Sequence, residues 1–243
     1  IVEQKDANAA EAAVTECNSG FYCFDAQALF EALEQVGSDN AQGEFYLTDV
    51  LEICRGAGRD VLALPASDVS ECLGVNSRVQ LAAATCALQS RINKEHMAAG
   101  VTMWDPTSVW IGPDVEIAPD VELLPQTFLL GKTQVGEDSV IGPNTRLTDT
   151  VVGSGCTIDE TVAIEARIDD EATCGPRAYL RPGAHLCEGA KAGTHVEIKK
   201  STIGRSSKVP HLSYIGDATL GEGVNVGAGS ITCNYDGAKK WPT

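Results

Sequence analysis

The sequence has few aromatic residues, few basic residues and no long apolar run. Aromatic residues make up 5% of the 243 positions, whereas hydrophobic residues of all kinds make up 43%. A core can therefore form, but small and branched aliphatic side chains must build it. No apolar stretch approaches the ~20 residues that cross a bilayer and no charged-then-apolar leader occurs, so we expect neither a membrane span nor a secretion signal. The formal charge of −16 argues against general binding to nucleic acids or anionic membranes.

The nine cysteines are odd in number and scattered along the chain, and no C-x-x-C motif occurs. This spacing is not typical of a structural zinc site or of a disulfide framework. We therefore expect reduced, mostly buried thiols in a cytoplasmic protein.

The charge is distributed unevenly. Residues 1–100 and 101–180 are strongly acidic, whereas residues 181–243 carry eight basic and five acidic side chains. A locally basic segment in an acidic protein indicates an anion-binding site, and a solvated, lysine-rich face is the alternative.

The first hundred residues predict a mixed α/β segment. Short apolar runs at 20–24 and 60–64 indicate strands. Asp25 is a candidate N-cap for one helix, and residues 45–54 indicate a second helix. Residues 78–99 contain neither Pro nor Gly and are rich in strong helix formers, so we predict a helix of about 20 residues that links two domains.

An internal repeat of six residues begins after this helix. Aliphatic anchor residues recur at this spacing, with an occasional step of four or five residues, and small or branched residues lie four positions after most anchors. The anchors are Ile111, Ile117, Leu123, Leu129, Val135, Ile141, Leu147, Val152, Ile158, Ile164, Ile168, Cys174, Leu180, Leu186, Ala192, Ile198, Ile203, Val209, Ile215, Leu220 and Val226.

A period of six fits a short strand followed by a tight turn, rather than a helix or one long strand. Three such units make one triangular coil of 18 residues, and successive coils must stack to bury their inward side chains. Residues 100–243 are therefore predicted to form a parallel β-helix of about seven coils. Hexapeptide coils resemble the left-handed β-helix, so we expect left-handed coils, although spacing alone does not decide the hand.

Two cations are predicted to stack in neighbouring coils. Arg181 and Lys199 each follow an anchor, and these anchors are 18 residues apart. Because neighbouring coils lie ~4.8 Å apart, the two cations repel each other unless an anion such as a phosphate lies between them. Tyr214 and Glu197 are each the fifth residue after an anchor, Val209 and Ala192, and these anchors are three hexads apart, so Tyr214 is predicted to lie over Glu197, with His211 on the same coil edge. The cluster suits a sugar phosphate, and His211 is a candidate proton acceptor near neutral pH.

Other candidates have simpler structural explanations. Arg181 and Lys199 could diverge into solvent, and His211 is equally compatible with a structural role. Cys233 could carry an acyl group, but no activating base is evident. His185, His195 and His211 are candidate metal ligands, although they fall on different coil positions.

Several blocks of sequence resemble one family of bacterial enzymes, the bifunctional N-acetylglucosamine-1-phosphate uridylyltransferases/glucosamine-1-phosphate N-acetyltransferases. The similarity covers essentially the whole chain. The blocks are Ile1–Ala7, Asn18–Gly20, Asn40–Asp49, Gly74–Asn76, Leu180–Ala184, Val196–Lys200, His211–Asp217 and Asn225–Gly237.

The resemblance implies two parts and two reactions. Residues 1–77 would be the carboxyl-terminal part of a Rossmann-like uridylyltransferase domain, residues 78–99 a helical linker, and residues 100–243 a left-handed β-helix acetyltransferase domain without its carboxyl end. In the family, the β-helix acetylates glucosamine-1-phosphate with acetyl-CoA, and the other domain joins the product to UTP with Mg²⁺. The product, UDP-N-acetylglucosamine, serves peptidoglycan and lipopolysaccharide synthesis. The family is trimeric, and neighbouring subunits build each acetyltransferase site.

The resemblance also assigns roles to single residues. His211 would be the general base that takes a proton from the glucosamine amine. The residues that match the sugar-phosphate site are Arg181, Lys199, Tyr214, Asn225, Glu197 and Lys240. The residues that match the acetyl-CoA site are Ala228, Asn234 and Tyr235. The residues that match the nucleotide-sugar site are Glu3, Asn18 and Asn76, and Asn76 also matches a Mg²⁺ ligand.

The chain departs from the family pattern at several points. The Gly-rich nucleotide-binding loop, an essential Lys and a metal-binding Asp of the family have no counterpart here, so we expect no uridylyltransferase activity from this chain alone. Val209 and Pro210 replace a small Ala-Gly pair and could shift the backbone of His211. His195 stands where the family usually has an aromatic residue.

Two alternatives to this acetyltransferase function remain. One is another hexapeptide enzyme, such as a zinc carbonic anhydrase, and the other is an inactive β-helix fragment.

Overall fold

The computed structural model describes residues 1–243, which divide into two compact units. Residues 1–84 form the first unit and residues 85–243 the second, so the division falls within one long helix. None of the helices combines the length and the apolar character needed to cross a bilayer.

Two short helices pack together in the first unit. The helix α1 (Ala26–Leu33) begins at the predicted N-cap, where the Asp25 carboxylate accepts a hydrogen bond from the Ala28 N–H at 2.9 Å. The helix α2 (Asp49–Gly56) overlaps the second predicted helix and begins four residues later than predicted. Their buried core consists of Ala28, Ala32, Val50 and Cys54.

The strands predicted at 20–24 and 60–64 are wrong, since neither stretch pairs with another strand. Phe21 and Leu64, which belong to these runs, are 76% and 90% exposed. A strand needs partners for its backbone N–H and C=O groups and a layer that covers its apolar side chains. The first unit contains no strand to supply them, so it has no Rossmann-like sheet.

The third helix confirms the helix predicted over 78–99. The helix α3 (Arg78–Ala98) follows a 3₁₀ turn at Val69–Cys72. It ends before Gly100, whose φ of 105° is a conformation that favours glycine.

Two buried amides of α3 close the start of the second unit. The side-chain NH₂ of Gln89 donates to the Val109 carbonyl at 2.6 Å. That of Asn93 donates to the same carbonyl at 2.9 Å and to the Pro106 carbonyl at 2.8 Å. The helix therefore satisfies carbonyl groups of the first coil that no preceding coil can bond.

The second unit is a parallel β-helix with three faces, as the repeat predicts, and the third face carries seven strands. Face 1 consists of β1 (Thr102–Met103), β4 (Glu122–Leu123), β7 (Val140–Ile141), β10 (Thr157–Ile158) and β13 (Thr173–Cys174). Face 2 consists of β2 (Trp110–Ile111), β5 (Phe128–Leu130), β8 (Arg146–Thr148), β11 (Val162–Ile164) and β14 (Tyr179–Leu180). Face 3 consists of β3 (Glu116–Ile117), β6 (Gln134–Val135), β9 (Val151–Val152), β12 (Arg167–Ile168), β15 (His185–Leu186), β17 (Thr202–Ile203) and β19 (Thr219–Leu220). Two longer strands, β16 (Lys191–Lys199) and β18 (Lys208–Gly216), run through the corner between faces 1 and 2. The left hand of the coil stays a prediction.

The anchor residues point into the coil and form its core. Leu129 and Leu147 are fully buried, and Ile117 is partly buried against the same core. Hydroxyl side chains four positions after an anchor are buried as well, and Thr127 Oγ1 donates to the Leu124 carbonyl at 2.8 Å. The narrow interior therefore holds aliphatic side chains and hydrogen-bonded hydroxyls, which explains the low aromatic content.

One predicted anchor, Ile164, is wrong. The strand β11 pairs with β8 through Leu147 and Ala163, which are 16 residues apart, whereas the predicted anchors Leu147 and Ile164 are 17 apart. Ala163 is fully buried, whereas Ile164 is half-buried. The inward position moves by one residue because this coil is shorter and the strand still alternates inward and outward side chains.

Candidate acetyltransferase site

The strand register brings four of the predicted site residues onto neighbouring coils. Glu197 in β16 pairs directly with Tyr214 in β18, as predicted. The backbone N–H of Arg181 donates to the Ile198 carbonyl at 2.8 Å, so Arg181 lies beside Lys199 of the next coil. All four side chains stand on the outside of the coil, since inward and outward residues alternate along each strand.

Each of the two stacked cations has a carboxylate partner. Arg181 Nη1 donates to Glu197 Oε1 at 2.8 Å. Lys199 Nζ donates to the two carboxylate oxygens of Asp217 at 3.2 and 3.1 Å. These hydrogen bonds raise the pKa of Arg181 and of Lys199 and lower the pKa of Asp217. Unlike what the sequence suggested, the two cations are therefore not unpaired. A bound phosphate would interact with Arg181 and Lys199 while Glu197 and Asp217 also contact them.

A third basic residue, Lys240, lies beside Lys199. The contact of Lys240 with Lys199 lowers the pKa of Lys240, and the charge of Arg181 acts in the same direction. Lys240 therefore adds a third basic group to a cluster that also contains the carboxylates of Glu197 and Asp217. An anion between the cations would relieve their mutual repulsion.

The phenol of Tyr214 lies against this cluster. Its ring covers the backbone of Gly216, where a Cβ would clash with the ring and the phenol oxygen. After the carboxylates, Tyr214 also contributes to the raised pKa of Arg181 and of Lys199. The polar tip of Tyr214 therefore faces the same space as the cations.

His211 lies in the same strand as Tyr214, on the other side of a corner. It pairs with Thr194 of the preceding coil, and its side chain is exposed. Leu212, at the corner, has a φ of 42°, in the region that L side chains rarely adopt. No other group of the chain hydrogen-bonds to the His211 ring, so a general base at this position would take its orientation from a ligand or from a neighbouring molecule.

Pro210 does not interrupt the ladder beside His211. Val209 pairs with Ala192 on one side of Pro210, and His211 remains paired on the other side. The two strands approach closely here, since a Cβ on Gly193 would clash with the Pro210 carbonyl. The Val-Pro pair is thus accommodated without a break in register.

Asn234 belongs to the cation cluster, although the resemblance matches it to acetyl-CoA. Its side-chain NH₂ donates to Asp217 Oδ2 at 3.3 Å and to the Trp241 carbonyl at 2.6 Å. Tyr235, which follows it, is 61% exposed, and its hydroxyl donates to the Gly237 carbonyl at 2.8 Å. The other matched residues of this segment, Asn225 and Ala228, are exposed.

Asp217 is the residue that sequence reasoning missed. It joins Lys199 to Asn234 through its side chain, and its backbone N–H donates to the Lys199 carbonyl at 3.0 Å. Asp217 follows Lys199 by 18 residues. Lys199 pairs with Gly216, however, so counting along the ladder places Gly216 and not Asp217 over Lys199.

The residues matched to the nucleotide sugar do not form a cluster in the first unit. Glu3, Asn18 and Asn76 are exposed, and no hydrogen bond joins one of them to another. The Asn18 side-chain NH₂ donates to the Tyr22 hydroxyl at 2.6 Å, and the Asn76 backbone N–H donates to Gln80 Oε1 at 2.8 Å. Magnesium needs several oxygen ligands in octahedral geometry. No group of three candidate ligands includes a residue of this unit, so the residues present do not fit a magnesium ion at Asn76.

The three candidate metal-binding histidines do not come together. His185 lies on face 3, His195 at the corner of β16, and His211 in β18. No group of three His, Cys, Asp or Glu ligands includes His195 or His211. Within this chain the three histidines therefore form no common metal site.

Comparison with known proteins finds relatives that match the whole chain. No family model matches the sequence. The bifunctional protein GlmU of Heliobacterium modesticaldum is 52% identical over 243 residues, which are all of this chain and 53% of that protein. The bifunctional proteins GlmU of Brevibacillus brevis and Streptomyces avermitilis are each 51% identical over the same 243 residues, which are 53% and 50% of those proteins.

Over its whole length the chain is similar to the GlmU proteins. This confirms the resemblance carried by the sequence blocks. The chain spans about half the length of the GlmU relatives that it matches.

Two solved structures are similar to part of the chain. A putative acetyltransferase of Bacillus cereus is 18% identical and covers 55% of this chain and 77% of its own, with a TM-score of 0.29. The UDP-N-acetylglucosamine acyltransferase of Campylobacter jejuni is 13% identical and covers 53% of this chain and 65% of its own, with a TM-score of 0.32. At these scores the likeness adds nothing to the fold described above.

Proposed function

We propose that the β-helix transfers the acetyl group of acetyl-CoA to the amine of glucosamine-1-phosphate. The observation that carries this proposal is the stacking of Arg181 beside Lys199 on neighbouring coils, each held by a carboxylate partner. It lies in a chain that is 52% identical to a bifunctional GlmU protein. A phosphate monoester is the ligand that such a set of guanidinium and ammonium donors suits.

In this proposal the sugar phosphate lies between Arg181 and Lys199. Their partners Glu197 and Asp217 orient the two cations and keep them from collapsing onto other groups. Lys240 adds the charge that makes the cluster attractive to a dianion. Tyr214, Asn225 and Glu197 then position the sugar ring.

His211 acts as the general base. The amine nitrogen of glucosamine-1-phosphate attacks the thioester carbonyl carbon of acetyl-CoA, and the neutral imidazole takes the proton that this nitrogen loses. The C–N bond forms, the C–S bond breaks, and coenzyme A leaves as a thiolate that is then protonated. No acyl-enzyme is needed, so Cys233 has no covalent role.

Ala228, Asn234 and Tyr235 line the acetyl-CoA side of the proposed site. We also propose a homotrimer in which a neighbouring copy completes the exposed site. Two outward-facing aromatic side chains of face 2, Phe128 and Tyr179, are 39% and 38% exposed and support contact with another copy. Light scattering that gives a monomer mass would count against the trimer.

For the whole protein we propose a second reaction, uridylyl transfer from UTP to N-acetylglucosamine-1-phosphate with Mg²⁺. The name of the relatives, bifunctional protein, supports two activities. UDP-N-acetylglucosamine, made in the cytoplasm, would then serve cell-wall synthesis. No step is assigned to Glu3, Asn18 or Asn76, because no hydrogen bond joins them and no group of candidate metal ligands includes a residue of their unit.

The test of the acetyl transfer measures thiol release from acetyl-CoA by the 243-residue chain. We expect release that saturates with glucosamine-1-phosphate and that falls sharply when free glucosamine, which has no phosphate, replaces it. A folded chain that releases no thiol at any acceptor concentration would support the inactive β-helix instead. Equal rates with both acceptors would disprove the role of the cation cluster.

A further inference from the structure

A second group of polar side chains lies on face 3, apart from the cation cluster. Asp169, His185 and Cys187 place one carboxylate oxygen, one imidazole nitrogen and one thiol sulfur within 4.8 Å of one another. This is the one group of three or more potential metal ligands in the chain. All three residues are partly buried, and the proposed acetyl transfer uses none of them.

The backbone explains why these three side chains meet. His185 and Cys187 are two residues apart on either side of the fully buried Leu186, so both point outward. In the preceding coil Arg167 pairs with His185, and the Asp169 N–H donates to the Leu186 carbonyl at 2.8 Å. Asp169 therefore stands beside Cys187, in two rungs of the same parallel ladder.

The Asp169 carboxylate is held in one orientation. Its Oδ1 accepts a hydrogen bond from Arg167 Nε at 2.7 Å, and its Oδ2 lies 2.7 Å from His185 Nε2. The Asp169 and His185 side chains are 26% and 33% exposed, so solvent reaches them without surrounding them. Arg167 is therefore a hydrogen-bond partner that does not itself bind a metal. Metal sites use such partners to orient a carboxylate ligand, here Asp169.

We propose that Asp169, His185 and Cys187 bind a divalent cation of the zinc class, with a water molecule in the fourth position. Carboxylate oxygen, imidazole nitrogen and thiolate sulfur are all zinc ligands, at about 2.0–2.3 Å from the metal. Tetrahedral geometry then needs ligand atoms about 3.3–3.7 Å apart, so the spread within 4.8 Å is suitable and the close Asp169–His185 pair must open by less than about 1 Å. Binding releases the Cys187 thiol proton to solvent.

The donor set selects against other ions. Calcium and magnesium take six or more oxygen ligands, and the group offers a single carboxylate. A thiolate with an imidazole favours zinc, cobalt or copper. The positive charge of Arg167 would repel a bound cation. This repulsion is weakened because the Arg167 side chain is 67% exposed and hydrogen-bonds to Asp169 Oδ1, whereas His185 contacts Oδ2. This site is independent of the proposed acetyl transfer.

Cobalt(II) titration of the full chain tests the proposal, because tetrahedral thiolate-bound cobalt absorbs both in the visible and as a sulfur-to-cobalt band in the near ultraviolet. We expect one equivalent of Co²⁺ to produce both bands and Zn²⁺ to displace it. Cys187→Ser should remove the sulfur-to-cobalt band, and His185→Gln should weaken Co²⁺ affinity by at least ~10-fold, the lower end for losing a metal-site partner. The matched controls Cys233→Ser and His195→Gln remove an exposed thiol and an exposed imidazole elsewhere, and should leave the spectrum unchanged. Absence of both bands, or their equal loss in the control variants, would overturn the proposal.

A second measurement needs no variant and so avoids any doubt about folding. The native chain is alkylated with iodoacetamide with and without Zn²⁺, and each cysteine-containing peptide is quantified by mass spectrometry. We expect Zn²⁺ to slow the labelling of Cys187 at least ~10-fold and to leave the labelling of exposed Cys233 unchanged. If Zn²⁺ protects both thiols equally or neither, the site does not exist.

Discussion

The ring of Tyr214 lies over the backbone of Gly216, two residues further along the same strand. No side chain fits on Gly216 without moving the phenol, because an added Cβ would overlap the ring edge and the hydroxyl oxygen. The clash involves the far end of the tyrosine side chain and not backbone, so Tyr214 can swing away at low cost. The lack of a side chain at Gly216 therefore leaves room for the phenol of Tyr214 in this orientation.

We expect Gly216→Ala to leave the fold intact and to raise KM for glucosamine-1-phosphate about fivefold, the worth of one neutral hydrogen bond. Tyr214→Phe should have a similar effect, and the double variant should be no worse than either single variant, because both changes remove the same contact. Additive effects would show that Gly216 acts in some other way. Steady-state kinetics of thiol release and far-UV dichroism supply the measurements.

Arg181→Ala should raise KM for glucosamine-1-phosphate by roughly tenfold or more, with a smaller change in kcat. The guanidinium is proposed to hold the phosphate in the ground state and the transition state alike, and a charged hydrogen bond is lost. Arg177→Ala is the matched control, since Arg177 forms a comparable exposed ion pair with Glu160 at 3.3 Å. If Arg181→Ala and Arg177→Ala change KM equally, the change comes from the loss of one positive charge on the protein and not from a contact between Arg181 and the phosphate.

His211→Gln should act on kcat instead. The amide cannot accept the amine proton, so kcat should fall by roughly 10²–10⁴-fold with little change in KM. Because the His211 side chain is exposed, we expect the variant to fold normally, and dichroism and native mass check this. A folded His211→Gln protein with near-normal kcat would refute the general-base role.

The shorter coil at β11 gives a test of packing. Ala163→Leu places a larger side chain in a fully buried position and should lower the free energy of unfolding by about 1–3 kcal/mol. Ile164→Val, one residue later and half-buried, should cost less than about 1.5 kcal/mol. Urea unfolding of both variants compares them, and the reverse order of cost would show that Ile164 is the inward residue.

The thiols should differ sharply in reactivity. Burial raises the pKa of Cys156 to about 11 and raises that of the fully buried Cys174 further, so neither is a thiolate at neutral pH. Iodoacetamide should label the exposed Cys17 and Cys233 first and leave Cys156 and Cys174 unlabelled until the protein unfolds. Labelling of Cys174 at the rate of Cys233 in the native protein would contradict the buried core.

The sequence by itself determined the β-helix, because its repeat is local. Six residues make one short strand and one turn, so Leu129 and Leu147 reveal their inward orientation without knowledge of the rest of the fold. The N-cap at Asp25 and the helix over 78–99 are also local features, and both are confirmed. The runs at 20–24 and 60–64 failed for the opposite reason, since a strand exists only where a partner strand pairs with it.

Only the tertiary structure decided which side chains meet across the coils. Most coils have 16, 17 or 18 residues, as the pairs Leu147–Ala163, Glu197–Tyr214 and Leu129–Leu147 show, and the first has 20, as the pair Met103–Leu123 shows. A difference of one residue exchanges inward and outward positions, so the contact of Lys199 with Asp217 depends on how each turn packs. The same holds for the group of Asp169, His185 and Cys187, whose members show no motif in the sequence. Stacking sets these pairs because the backbone hydrogen bonds between coils, and not the spacing along the chain, fix the register.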